Sequence, residues 1–226
     1  MRRRLIPADN YVFLLVGLLF FLLLLPILHT VVVSSRDADL MRLCVQIGFS
    51  AMMLISVWSL IRERRLFRVG LGLAASNIAF TMLGIFHHGP ALFIAGSLAI
   101  LAFSIMSGFI AARHVFSGTR IDRNMLYGAM CVYLLMGMVW AIVYTLIFEF
   151  WPTAFHGMET PSGLATFDDF LYFSFVTLAS LGYGDITPAA PVARTLAYLE
   201  VIAGQFYIAI MVAGLVALYM QDRDKK

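Results

Sequence analysis

Charge is scarce in this chain. Only 13% of its 226 residues are Asp, Glu, Lys or Arg, and 62% are hydrophobic. A soluble domain carries about a quarter charged residues. An ordinary soluble fold is therefore excluded, and the chain reads as an integral membrane protein. Cysteine is nearly missing as well. Cys44 and Cys131 both fall inside apolar spans, with no CxxC pair and no Cys/His cluster. Each reads as a buried free thiol, not a disulfide or a metal ligand. No glycine-rich nucleotide loop is present, and no His, Asp or Cys cluster converges at a membrane face. Chemical catalysis has no candidate residues, so neither an enzyme nor a cofactor is expected. His87 and His88 form a tight turn without a third metal ligand nearby. The isoelectric point near 9.0 does not signal nucleic acid, because the basic residues lie in short clusters between apolar runs.

What the chain does have is long apolar runs. About 20 residues of helix cross the hydrocarbon of a bilayer. Six segments meet that length approximately: 11–33, 40–61, 69–86, 91–112, 125–148 and 192–220. The first follows a Met-Arg-Arg-Arg start but lacks a small-residue cleavage site, so it reads as a retained span. Pro26 falls inside it, and Asn124 is placed to cap the fifth. Arg2–Arg4, the 62–68 loop, the loop holding Arg113, Arg120 and Arg123, and the tail with Arg223, Lys225 and Lys226 hold 13 of the 16 basic residues. The positive-inside rule then puts both termini in the cytoplasm. It also makes residues 149–191 enter the membrane from outside.

That outer segment contains the densest information in the chain. Residues 167–180 form a pattern of fourteen residues, a helix of about 21 Å that is too short to span. Thr166 and Asp169 have capping-box spacing, and Asp168 and Asp169 suit the positive end of a helix. Ser180-Leu181-Gly182-Tyr183-Gly184-Asp185 follows. Glycine reaches positive φ cheaply, so Gly182 and Gly184 let the backbone alternate its hand and turn consecutive carbonyls toward one axis. Carbonyls so aligned replace the water around a dehydrated cation.

The run from Thr177 to Asp185 resembles the potassium-channel signature sequence. The resemblance extends from 167 to 219 and includes the inner-helix stretch 193–216. It implies an all-α membrane protein with six transmembrane helices, a re-entrant pore helix and a selectivity filter between helices five and six. Residues 1–123 then form a four-helix, sensor-like domain and 124–226 the pore domain, with outer helix 125–148, pore helix 167–180, filter 180–185 and inner helix 192–220. One Gly-Tyr-Gly cannot encircle an ion, so a homotetramer is implied. Ser180, Leu181, Gly182, Tyr183 and Gly184 are the implied K+ ligands, with Tyr172, Phe173, Val176, Thr177 and Asp185 as support. Tyr183 is expected to pack on Tyr172 or Phe173, and Asp185 to bond behind the outer mouth, to Tyr172. Gly204 stands where inner helices carry a gating hinge. Potassium ions, membrane lipids and other copies of the chain are the expected partners, in the cell membrane. Nucleic acid is not.

Two departures from the family pattern matter. Ser180 stands for threonine but keeps a hydroxyl for the innermost ion, and Leu181 replaces a β-branched residue, whose stiff side chain packs behind the filter. A weakly selective cation channel and a non-conducting accessory subunit are the alternatives. A secondary transporter would need a counterpart of the filter in the first three spans, and none is there. The fourth span holds no Lys or Arg before Arg113, whereas voltage sensing needs roughly three or four moving charges per subunit. The channel is thus not expected to be voltage-gated. The chain stops six residues after Met220, so a fused calcium or nucleotide domain is not expected either. Glu200, an acid inside the last span, reads first as a structural hydrogen-bonding group facing the pore helix or a neighbouring subunit.

Overall fold

A computed structural model describes residues 11–33, 48–50, 53, 64–86, 90–117, 123–158 and 165–223. Hydrocarbon offers no partner for peptide groups, so an apolar chain satisfies them internally as helix. The described helices are α1 (Tyr11–Val33), α2 (Arg64–Phe86), α3 (Pro90–Ser117), α4 (Arg123–Phe150), α5 (Ala165–Leu178) and α6 (Pro191–Arg223). A one-turn 3-10 helix at Pro152–Ala154 follows α4. Two short strands, β1 (Phe155–His156) and β2 (Thr187–Pro188), pair antiparallel on either side of α5 in the chain. Among the described residues, three stretches are long and apolar enough to cross a membrane: Ala91–Arg113, Asn124–Phe150 and Pro191–Gly214. They coincide with the expected fourth, fifth and sixth spans. The expected second span, 40–61, lies outside the described residues except for 48–50 and 53. There, Phe49 packs on Phe21 of α1, and Ser50 donates to Asn77 of α2 at 2.9 Å.

Helix boundaries differ in detail from the sequence expectation. The helix expected over 167–180 ends at Leu178, because residues 179–181 form its cap. It opens at Ala165, which puts Thr166 inside the first turn. Asn124 lies inside α4, and its Oδ1 accepts a hydrogen bond from the Tyr11 amide of α1 at 3.0 Å. It therefore caps a different helix from the one expected, satisfying one of the orphan amides that every helix start carries.

The α5 helix is gripped by α4 and α6. Its aromatic side chains pack into the core between α4 and the Phe155 segment. Phe170 meets Phe155 at 4.7 Å and Phe148 at 5.5 Å between ring centroids, and Phe173 meets Tyr144 at 5.2 Å. All three contacts are edge-on, the geometry that aromatic quadrupoles favour. On α4, a Cβ at Gly137 would come within 2.6 Å of the Phe175 ring, so the missing side chain is the seat of that ring. On α6, a Cβ at Gly204 would lie 2.5 Å from the Leu178 carbonyl oxygen. The α6 helix thus touches the end of α5 through bare backbone.

Glu200 joins all three helices. It is fully buried. Tyr144 of α4 donates to its Oε2 at 2.6 Å, and Ser174 of α5 bonds its Oε1 at 2.5 Å. The Ser174 hydroxyl is also 2.8 Å from the Gly137 carbonyl of α4. Ser174 has one proton and so serves only one of these two acceptors. A proton on the Glu200 carboxyl serves the other, and then every polar atom in the cluster has a partner. A neutral group is accordingly predicted to suffice here. Glu200→Gln should keep the folded chain's melting temperature in detergent, whereas Glu200→Leu leaves the buried Tyr144 hydroxyl unpaired, at about 1–3 kcal/mol, while Ser174 can still donate to the Gly137 carbonyl. Equal loss of stability in both variants would show that the negative charge, not the hydrogen bonding, is what the fold requires.

Candidate functional site

The candidate site begins where α5 stops. Ser180 N–H donates to the Thr177 carbonyl at 2.9 Å, and Leu181 N–H to the Val176 carbonyl at 2.9 Å. These are the two bonds of a Schellman motif, which requires a left-handed residue after the helix. Ser180 is that residue, with φ of 60°. Glycine usually fills this position, since a Cβ there costs roughly 1–2 kcal/mol. The serine hydroxyl is held in turn: Gln205 of α6 donates from Nε2 to Ser180 Oγ at 2.9 Å.

Left-handed φ then recurs at every second residue, 59° at Gly182 and 80° at Gly184. Leu181 and Tyr183 between them keep ordinary negative φ. A regular strand alternates the direction of its peptide groups, but alternating the sign of φ cancels that and brings successive carbonyls to one side. Among the described residues, no backbone hydrogen bond ends on a carbonyl from Ser180 to Gly184. The α5 helix also directs its partially negative C-terminal end at this loop, which favours a cation. The donor set is oxygen only, suited to a hard cation. Among the described residues, no three His, Cys, Asp or Glu side chains come together as a metal site.

Side chains on the other side of the loop anchor it to α5. Tyr183 stacks on Tyr172, with centroids 6.5 Å apart and planes at 16°. Phe173 faces away, buried against Tyr144 and Phe155. Tyr172 donates from its hydroxyl to Asp185 Oδ2 at 2.6 Å, and Ile186 N–H donates to Asp185 Oδ1 at 3.0 Å. Val176 is buried and Thr177 half-buried, and both serve the loop through their carbonyls. Leu181 and Tyr183 are 57% and 66% exposed on the single chain.

The far end of the loop is clamped by backbone contacts that the sequence did not announce. The Ala154 carbonyl accepts from the amides of Ala189 and Ala190 at 2.8 and 3.2 Å. Phe155 pairs with Pro188 and His156 with Thr187. Gly157 has φ of 86°, and a Cβ there would lie 1.9 Å from the Asp185 carbonyl oxygen. Strands of two residues show no period to read, so only the isolated glycine after His156 could have hinted at this contact. Gly204 lies in an unbroken α6, where its bare backbone meets Leu178.

The Tyr172–Asp185 bond sets a pH window. The hydroxyl of Tyr172 holds the Asp185 carboxyl below its ordinary 3.8, and the same bond pushes Tyr172 up to about 12. The stabilisation from Asp185 is present above 3.8 and lost as pH falls through its lower folded value. The part from Tyr172 is complete below 10 and lost as pH rises through about 12. In Tyr172→Phe the Asp185 carboxyl should therefore titrate closer to 3.8, followed by infrared difference spectroscopy of the carboxylate band. A titration identical to wild type would mean that the phenol does not control this acid.

Residues 129–221 match the family described as ion channel. Over 54 residues the chain is 45% identical to the two pore potassium channel c of Oryza sativa subsp. japonica, a stretch covering 24% of this chain and 12% of that protein. It is 38% identical over 68 residues to a candidate potassium channel protein of Rhodopseudomonas palustris, covering 29% of this chain and 16% of the relative. It is 37% identical over 65 residues to two-pore potassium channel 3 of Arabidopsis thaliana, covering 26% and 15%. The chain thus spans well under a fifth of the length of these curated relatives. No solved structure matches it. The capped α5 helix and the left-handed residues 180, 182 and 184 fall inside the 129–221 stretch that is similar to ion channels.

Proposed function

We propose that four copies of the chain surround one axis in the cell membrane and pass K+ down its gradient, selecting it over Na+ at the carbonyls of Ser180–Gly184. The observation that carries this reading is the left-handed backbone at 180, 182 and 184. It leaves a row of carbonyls without backbone partners at the end of a helix too short to span. Non-helical backbone at membrane depth is tolerated only where protein encloses it or it lines water. A ring of four such loops provides both, with ions as the remaining partners of the oxygens.

The exposed face of α6 supports the assembly. Within one chain only 17% of an apolar 18-residue window of Pro191–Gly214 is buried, against 56% of the corresponding window of Asn124–Phe150. Tyr198, Ile202 and Phe206 recur at helical spacing along its outward side. Partner copies would cover that face and the open sides of Leu181 and Tyr183. In this reading both termini are cytoplasmic, six helices cross the membrane and the permeant ion is the only cofactor. The lack of basic residues between Ala91 and Ala112 argues against gating by voltage. A gating bend at Gly204 would part α6 from the Leu178 carbonyl.

Purified protein in liposomes should carry K+ and carry little Na+ under the same gradient. Tyr183→Asp removes the ring stacked on Tyr172 and should narrow that preference. Equal K+ and Na+ flux through the unmodified chain would overturn the selectivity, and no cation flux at all would favour an accessory role.

A further inference from the structure

Resting on that reading, we infer that Gln205 is a positioning residue for the innermost ion site: its side-chain amide fixes the Ser180 hydroxyl so that one oxygen lone pair faces the permeating cation. Ser180 occupies a left-handed position where glycine would be free of strain. A strained non-glycine residue calls for a reason in the side chain itself. The contact made by that side chain is the 2.9 Å bond from Gln205 Nε2.

The reach of Gln205 depends on its neighbour. Gly204 has no Cβ, and α6 comes against the Leu178 carbonyl because of it. That approach carries the next residue, Gln205, to the inner end of the loop. A hydroxyl oxygen has two lone pairs. The Gln205 N–H takes one and stops the side chain from rotating, which leaves the other for a cation. The amide is also uncharged. A lysine or arginine in its place would repel the ion, and a carboxylate would hold it too tightly.

The test is a double-mutant cycle read by Ba2+, a divalent ion close to K+ in size, applied from the cytoplasmic face of liposomes carrying K+ flux. Gln205→Leu and Ser180→Ala should each weaken Ba2+ inhibition about fivefold, the scale of one hydrogen bond. The double variant should be no weaker than Ser180→Ala, since Gln205 then has nothing to position. Gln205→Glu, which reverses the bond so that the serine hydroxyl donates to a carboxylate and adds negative charge, should tighten inhibition and stands in if the leucine variant does not assemble. Unchanged inhibition in Gln205→Leu, an additive double variant, or unchanged inhibition in Gln205→Glu overturns the inference while K+ conduction stands. Absence of K+ flux from the unmodified chain overturns the conduction reading, and this inference falls with it.

Discussion

Two hydrogen bonds end the α5 helix, from Ser180 N–H to Thr177 and from Leu181 N–H to Val176. They turn the chain sharply while leaving both amides satisfied, and they fix Ser180 in the left-handed region. The direction of every later carbonyl follows from that first turn. Gly182 and Gly184 repeat the left-handed step at the residues where it costs least. Had the cap closed one residue earlier or later, the alternation would fall on Leu181 and Tyr183, whose side chains resist it.

A loop of this kind does not hold itself. Its carbonyls repel one another and its backbone bonds are few, so the surrounding side chains must keep it extended. Three supports do so from three directions. Tyr183 and Asp185 are pinned to Tyr172 behind the loop. The β1–β2 pair and the Gly157 contact clamp the outer end. Gln205 and the Gly204–Leu178 approach hold the inner end against α6. Glu200 then locks α4, α5 and α6 to each other, which keeps the three supports in register. Its placement explains an acid inside a membrane span: a carboxyl that shares hydroxyl protons is a linker, with no ion pair needed.

Much of this was legible in the sequence, for local reasons. Apolar runs announce helices because membrane leaves the backbone no alternative. Gly182 and Gly184 announce the loop because only glycine is cheap at positive φ. Glu200 could be read as a hydrogen-bonding group because an unpartnered acid in hydrocarbon is so costly. Other features were not legible, because they depend on which helices meet. Asn124 was placed as the cap of its own helix and instead serves Tyr11, 113 positions away. The left-handed Ser180 and its bond to Gln205 leave no trace in propensity, since serine is an ordinary helix-end residue. Gly204 suggested a hinge by its position, whereas its steric use against Leu178 needs the packed helices to be seen. The two-residue strands are too short for any pattern.

The account turns on one claim, that the carbonyls of Ser180 to Gly184 face a shared axis and take the place of water around a monovalent cation. A density map of the assembled protein prepared in Rb+ or Tl+ addresses it most directly, because both ions stand in for K+ and scatter strongly. The account predicts fourfold symmetry, with heavy-ion density on the axis at the height of these carbonyls. Density absent from that height, or an assembly without a fourfold axis, would contradict it.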